Sequence, residues 1–307
     1  MSDLLSDLPL LFLNNLLPIF LAAGAGYLLA RNLKLNPRVL SQVVFYVFSP
    51  CLIFTLLIQS KLSNEDIFIT ISSTGIFILL VGLITWLGGK ALRLPRGQMA
   101  ALLVTGMFMN AGNYGLPVVL FAFGDNALSY ASLFFVTNAI LAYTLGVIII
   151  SMGSASLTQA LSNLFKLPVI YALLLAVIIM QTGWKMPVFL ERTTTMLGNA
   201  SIPGMLVLLG MQLQQANWHG KGKPLALAAT MRLVVGPALM LLIASLFSIA
   251  GAARQASVLE AGMPTAVLTT MLATEYETEP SLVTAIVFIT TLLSPLSITP
   301  LLAYLGA

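Results

Sequence analysis

Charged residues are scarce in this chain of 307 residues: Asp, Glu, Lys and Arg make up 8% of it, whereas hydrophobic residues make up 59%. A soluble domain carries about 25% charged residues, so this composition excludes an ordinary water-exposed surface. The apolar residues also come in runs of the roughly 20 residues that a helix needs to cross a bilayer. The sequence therefore predicts an all-α integral membrane protein whose surroundings are the lipid bilayer.

Cysteine and histidine are nearly absent, since the chain has one of each, Cys51 and His219. A single cysteine excludes an internal disulfide, and its apolar surroundings indicate a small buried hydrophobe. A single histidine in a loop excludes a histidine-based metal site or triad inside the membrane, and neither a zinc-protease motif nor a phosphate-binding loop occurs. We therefore expect no enzyme, no cofactor, no bound metal and no ATP-driven transport by this chain alone.

The basic residues form no cluster, although the net charge is +4. A nucleic-acid site would need a basic patch or stripe, so we expect no nucleic-acid partner. The first residues carry Asp3 and Asp7, where a signal peptide would carry Lys or Arg. The N-terminal region is therefore not expected to be a signal peptide.

Polar breaks divide the apolar residues into ten predicted spans. The longest polar stretch follows the fifth span, which predicts a first five-helix repeat at 1–150, a cytoplasmic linker at 151–166 and a second five-helix repeat at 167–307. Because five is odd, the second repeat enters the membrane from the opposite side, and this predicts an inverted repeat as in secondary carriers. The predicted spans are 8–30, 38–59, 67–90, 98–121, 128–150, 167–183, 195–213, 225–249, 255–273 and 281–305.

Lys and Arg are unevenly distributed between the predicted loops. Nine lie after odd-numbered spans and four after even-numbered spans, while Arg232 lies inside span 8. Positive residues favour the cytoplasm, so we expect a multi-pass protein of the inner (plasma) membrane with both termini outside. The nine are Arg31, Lys34, Arg38, Lys90, Arg93, Arg96, Lys166, Lys221 and Lys223, and the four are Lys61, Lys185, Arg192 and Arg254.

Two predicted spans are interrupted at their centres. Residues 110–117 of span 4 include two Asn, two Gly and a Pro, and residues 261–264 of span 9 read Ala-Gly-Met-Pro. Gly and Pro break helices, and the freed backbone groups must then line a buried or watery cavity. A plain proline kink with Asn caps is the alternative for span 4. Candidate substrate-binding residues are Asn110, Asn113, Tyr114, Gly115, Pro117, Gly262, Met263 and Pro264.

The two breaks have a chemistry that suits an anion. An interrupted helix exposes an N-terminus with partial positive charge, which favours a negatively charged ligand. Its carbonyl ends suit a cation, and Asn side chains offer both donors and acceptors. Asn138 in span 5 is a further candidate, because a buried amide needs partners.

Two charged residues lie in the interior of predicted spans, away from their ends, and both are candidates for coupling or charge control. Glu260 directly precedes the second break, and an acid inside the membrane is a functional hypothesis by default. The alternative is an acid solvated near the outer interface. Arg232 in span 8 is either a functional cation or a snorkelling side chain, and the two residues could also be charge partners.

Three stretches resemble the auxin efflux carrier family, which includes plant auxin carriers and bacterial malate and malonate permeases. They are 110–117, Met231–Ala238, and 260–264 continuing to 273–280. The resemblance implies ten spans in two inverted repeats, with broken helices 4 and 9 crossing at Pro117 and Pro264, as in the bile acid symporter fold. It also implies a dimerising scaffold from spans 1, 2, 6 and 7 and a mobile transport domain from spans 3–5 and 8–10.

The resemblance also assigns residues. The crossover Asn of the family matches Asn110, its span 8 basic residue matches Arg232, and its polar span 5 positions match Thr137 and Asn138. Plant carriers often have Gln at the position of Glu260 and carry an acid in span 3 that this chain lacks. Glu260 is more similar to the acid beside the span 9 crossover of sodium–bile acid symporters, which implies possible H⁺ or Na⁺ coupling.

The expected function is secondary active transport of a small organic anion, such as an auxin-like acid or a dicarboxylate, by elevator-type alternating access in a homodimer. A sodium-coupled symporter of the bile acid type is the alternative. A membrane-embedded enzyme and a channel or sensor are further rivals, and the missing catalytic groups argue against the enzyme.

Overall fold

The structure is a computed structural model that describes residues 8–60, 62–151, 162, 165–214 and 222–307. Within these ranges every regular element longer than a single bridge is a helix, which confirms the all-α prediction. In chain order the helices are α1 (Leu8–Leu33), α2 (Pro37–Gln59), α3 (Asn64–Ala91), α4 (Arg96–Met107), α5 (Ala111–Ile150), α6 (Pro168–Thr182), α7 (Val188–Gln214), α8 (Gly222–Leu246), α9 (Gly251–Ala261), α10 (Leu268–Glu275) and α11 (Pro280–Leu305).

Seven of the described helices are long and apolar enough to cross a membrane, namely α1, α2, α3, α5, α7, α8 and α11. Helix α6 is a shorter apolar helix of 15 residues. Helix α5 covers 40 residues in two helical segments that meet at Gly124, whose backbone is non-helical with φ +73° and ψ −170°. Glycine adopts this positive φ without strain. These findings confirm a multi-pass membrane protein, while the count of ten spans stays a prediction.

Prolines explain wide helical turns at several points. Because a proline has no N–H and crowds the preceding turn, the backbone hydrogen bonds before it shift by one residue into a π-helical turn. Two such turns hold candidate residues: Ala111–Gly115 contains Asn113 and ends two residues before Pro117, and Met231–Val235 contains Arg232 and ends two residues before Pro237. The turns Phe12–Leu16 and Val44–Phe48 stand in the same relation to Pro18 and Pro50.

Helices α1 and α7 pack with their backbones in direct contact. A Cβ atom at Gly26 would overlap the carbonyl oxygen of Val207, and one at Gly210 would overlap that of Ala23. Glycine at both positions therefore permits the close approach, as small residues do between membrane helices.

Helix α2 continues this group of helices. It packs closely on α7, where a Cβ at Gly198 would lie 3.1 Å from the backbone of Leu52. Its residues Ile53 and Leu57 share an apolar cluster with Val169 and Ala176 of α6. Helices α1, α2, α6 and α7 thus form one packed set, and most of the remaining core joins α3–α5 to α8–α11.

Some predicted boundaries shift in the structure. Helix α7 begins at Val188 rather than at 195, and α3 begins at Asn64 because Ser63 and Asp66 form a capping box. Most of the predicted linker 151–166 lies outside the described residues. So do Asp3, Asp7, Lys61, His219 and Lys221.

Candidate substrate site at two broken helices

The two interruptions lie side by side and hydrogen-bond to each other. The backbone N–H of Asn110 donates to the carbonyl of Pro264 at 2.8 Å, and the N–H of Ala266 donates to the carbonyl of Phe108 at 3.0 Å. The segment between α4 and α5 therefore pairs with the segment between α9 and α10 as a short antiparallel bridge. This pairing satisfies backbone groups that a broken helix would otherwise leave open inside a membrane.

A single guanidinium group holds the ends of α4 and α9. Arg232 is fully buried, and its Nη1 donates to the carbonyl of Gly106 at 2.8 Å. Its Nη2 donates to the carbonyl of Ala261 at 2.5 Å, and its Nε donates to that of Met263 at 3.3 Å. A cation is favourable at helix C-termini, which carry partial negative charge. The alternative of a snorkelling side chain is therefore wrong.

The opposite ends of the breaks, the N-termini of α5 and α10, border one cavity of about 820 Å³. Gly112 and Asn113 from the first turn of α5 line it, and so do Val267 and Leu268 at the start of α10. The first N–H groups of a helix have no intrahelical partner and carry partial positive charge. Since Arg232 occupies the negative ends, the helix ends that remain open toward the cavity are positive.

Two buried amides in the cavity wall have polar atoms without partners. Asn110 and Asn138 are each 5% exposed and both line the cavity. Asn138 Nδ2 donates to the carbonyl of Met109 at 3.0 Å, whereas Asn138 Oδ1 and Asn110 Nδ2 have no hydrogen-bond partner. Buried polar groups are normally paired, so these two atoms are candidates for contact with a ligand.

Asn113 connects the broken helix to the other helix group. Its Nδ2 donates to Oε1 of Gln212 on α7 at 3.3 Å, and both side chains line the cavity. The cavity thus lies between α5 and α7.

The other predicted substrate residues surround the crossover without lining the cavity. Tyr114 accepts a hydrogen bond from Ser294 at 3.1 Å, and Thr137 donates within its own helix to Leu133 at 2.8 Å. The structure therefore brings Asn110, Asn113 and Asn138 together at the cavity. The predicted residues that lie outside its wall are Tyr114, Gly115, Pro117, Thr137, Gly262, Met263 and Pro264.

Glu260 is buried beside the crossover and separate from Arg232. It is 0% exposed, and neither carboxyl oxygen has a hydrogen-bond partner. The carboxyl group lies against Gly115, where a Cβ would overlap it. The alternatives of an interface acid and of a charge partner for Arg232 are therefore wrong. Among the described residues, no group of three or more His, Cys, Asp or Glu comes together to hold a metal ion.

Sequence reasoning missed most of the cavity wall. Phe45, Phe135 and Leu208 line it, but in the sequence they look like ordinary apolar residues of a membrane helix. The amide of Gln212 in a predicted span was a signal that could have been used. The charged side chain that the structure places in the wall is Arg38 at the start of α2.

Comparisons with known proteins agree with a membrane transporter. A family profile described as membrane transport protein matches residues 11–163 and 152–302. An uncharacterized transporter of Methanocaldococcus jannaschii is 27% identical over 270 residues, which cover 86% of this chain and 88% of the relative. An uncharacterized transporter of Methanothermobacter thermautotrophicus is 29% identical over 262 residues, which cover 84% of this chain and 86% of the relative.

Proposed function

The chain belongs to the membrane transport protein family, that of the auxin efflux carriers, and on this premise we propose that it is a secondary active transporter of small organic anions. The substrate carboxylate binds at the N-termini of α5 and α10, beside the open amide of Asn110. The proposal involves no chemical change of the ligand, because the site binds the anion and carries it across the membrane.

The observation that supports the proposal is that the four helix ends at the two breaks have different surroundings. Arg232 binds the C-terminal ends of α4 and α9, and the N-terminal ends of α5 and α10 border the cavity. A helix N-terminus is equivalent to roughly half a positive charge. Two of them together balance about one carboxylate without a basic side chain in the binding site.

Helix packing supports alternating access of the elevator type. The set α1, α2, α6 and α7 serves as the scaffold of a homodimer, and α3–α5 with α8–α11 serves as the transport domain that carries the crossover. The cavity reaches Arg38 and Pro280, which follow predicted spans 1 and 9. With both termini outside the inner membrane, these loops are cytoplasmic. In the conformation of this structure the cavity therefore opens toward the cytoplasm.

Counterflow in proteoliposomes tests the carrier directly. Liposomes loaded with an unlabelled carboxylate should accumulate the labelled acid transiently, which neither a channel nor an enzyme does. Asn110→Ala should weaken apparent affinity by about tenfold to a hundredfold, because it removes a charge-assisted hydrogen bond of roughly 1.5–3 kcal/mol.

Ser132→Ala is the matched control for this experiment. Ser132 is buried in α5 and donates to Ser129 of its own helix, but it does not line the cavity. If the labelled acid only equilibrates across the liposome membrane, without a transient overshoot, the carrier proposal is contradicted. Unchanged affinity in Asn110→Ala would remove Asn110 from the binding site.

A second candidate, a sodium-coupled symporter of the bile acid type, is favoured by the two open oxygens of Glu260. A charged carboxylate without partners is costly in a buried site, so we assign Glu260 first to proton coupling, with the acid neutral in this state. Glu260→Gln mimics that neutral form. Transport by this variant should therefore become independent of pH, while exchange of bound substrate continues.

Uptake measured against pH and sodium separates the two coupling ions. If Glu260 ligates sodium, Glu260→Gln removes the sodium dependence and leaves the pH response intact. Glu275→Gln is the control, since Glu275 is an exposed acid at the end of α10. A Glu260→Gln protein that matches the wild type under every condition would exclude a coupling role for this residue.

A further inference from the structure

Two buried amides in the cavity wall each leave one polar atom unpaired, a donor on Asn110 and an acceptor on Asn138, and we infer that the transported anion carries a hydrogen-bond donor beside its carboxylate. The donor is a hydroxyl or N–H group that binds Asn138 Oδ1 while the carboxylate binds Asn110 and the helix N-termini. This inference rests on the proposed function and narrows its substrate class.

The orientation of the Asn138 amide is set by the backbone. Its Nδ2 donates to the carbonyl oxygen of Met109 at 3.0 Å, so turning the amide over would bring two acceptor oxygens together. The oxygen Oδ1 therefore faces away from Met109 and can only accept a hydrogen bond. It is buried and has no partner among the described residues.

Asn110 presents the opposite polarity. Its backbone N–H is already bonded to Pro264, but its side-chain Nδ2 is buried and open, and an amide nitrogen only donates. Asn110 follows Met109, which holds Asn138, and both amides line the same cavity. Asn138 thus contacts the residue next to Asn110, which places both amides in the same part of the cavity wall.

An ionised carboxylate alone does not match this pair. It only accepts hydrogen bonds, so it satisfies Asn110 Nδ2 but leaves Asn138 Oδ1 unpaired or facing a negative oxygen. Phe135 and Ala139, which neighbour Asn138 on α5 and line the same wall, are apolar and supply no side-chain donor. A site with a buried acceptor rejects analogues that lack the donor far more strongly than it rejects a change in apolar size.

Matched acids test the inference on purified protein. 3-Phenyllactate carries a hydroxyl donor beside its carboxylate, phenylpyruvate carries only an acceptor there, and 3-phenylpropionate carries neither. Lactate, pyruvate and propionate repeat the comparison on a shorter skeleton. Dissociation constants are measured by calorimetry, and each acid is also used as the internal substrate in counterflow.

At least one of the two hydroxy acids, 3-phenyllactate or lactate, should bind about tenfold to a hundredfold more tightly than the two acids of the same skeleton that lack the hydroxyl donor. This difference is expected when a buried acceptor is otherwise left unpaired. Asn138→Leu removes the acceptor and should bring this ratio close to one, while Ser132→Ala should preserve it. The ratio compares ligands on the same folded protein, so a lower yield of the Asn138 variant does not affect it.

The outcomes distinguish a failure of this inference from a failure of the proposed function. Equal affinity for the three acids of both skeletons, or a ratio that survives in Asn138→Leu, overturns this inference and leaves the carrier proposal standing. If none of the acids binds and none supports counterflow, the proposed function fails together with the inference.

Discussion

Arg232→Met is expected to destabilise the crossover strongly and to abolish transport. The substitution removes the donors for three buried carbonyl groups, those of Gly106, Ala261 and Met263. An unpaired buried acceptor costs about 1–3 kcal/mol. Three such acceptors lose their donors at once, so we expect a loss of several kcal/mol. Thermal unfolding in detergent and counterflow in liposomes measure the two effects.

Arg232→Lys should fall between the wild type and Arg232→Met. An ammonium group is a compact charge and lacks the planar fork of guanidinium, so it cannot reach three carbonyls from two different broken helices at once. Lys223→Met on the same helix is the control, since Lys223 is exposed at the start of α8. If Arg232→Met unfolds at the wild-type temperature and still transports, the crossover does not depend on this cation.

Gly26→Ala is expected to separate α1 from α7. The added Cβ meets the carbonyl oxygen of Val207, which belongs to the backbone and cannot rotate away as a flexible side chain would. Overpacking of this kind costs about 1–3 kcal/mol and sometimes more. Gly210→Ala, which meets the carbonyl oxygen of Ala23, should have an effect at least as large.

Gly24→Ala provides a control of opposite sign on the same helix. A Cβ at Gly24 meets nothing within 4 Å, and alanine is favoured over glycine inside a helix by up to about 1 kcal/mol. Gly24→Ala should therefore leave the unfolding temperature unchanged or raise it, while Gly26→Ala lowers it. Equal unfolding temperatures for the two variants would show that α1 and α7 are not in direct backbone contact.

Properties that depend on composition and on neighbours in the chain could be predicted from the sequence. The shortage of charge and the long apolar runs indicated a helical membrane protein, because each spanning helix satisfies its own backbone. The Gly and Pro residues of 110–117 and 261–264 predicted two breaks close to the places where the structure has them, at 108–110 and 262–267, since their effect on a helix is local. Asn110 was predicted as a candidate binding residue on the same local grounds, and the motifs around it pointed to the transporter family.

Properties that depend on residues far apart in the chain required the tertiary structure. The bond from Arg232 to Gly106 joins positions 126 residues apart, and the link between Asn113 and Gln212 joins positions 99 apart. The open acceptor of Asn138 follows from its bond to Met109, 29 residues earlier. The chain order indicated that an arginine, an acid and several amides lie inside the membrane. Only the folded packing decided that the arginine binds both helix C-termini and the acid stands apart from it, because a buried polar group is defined by the partners that the fold brings to it.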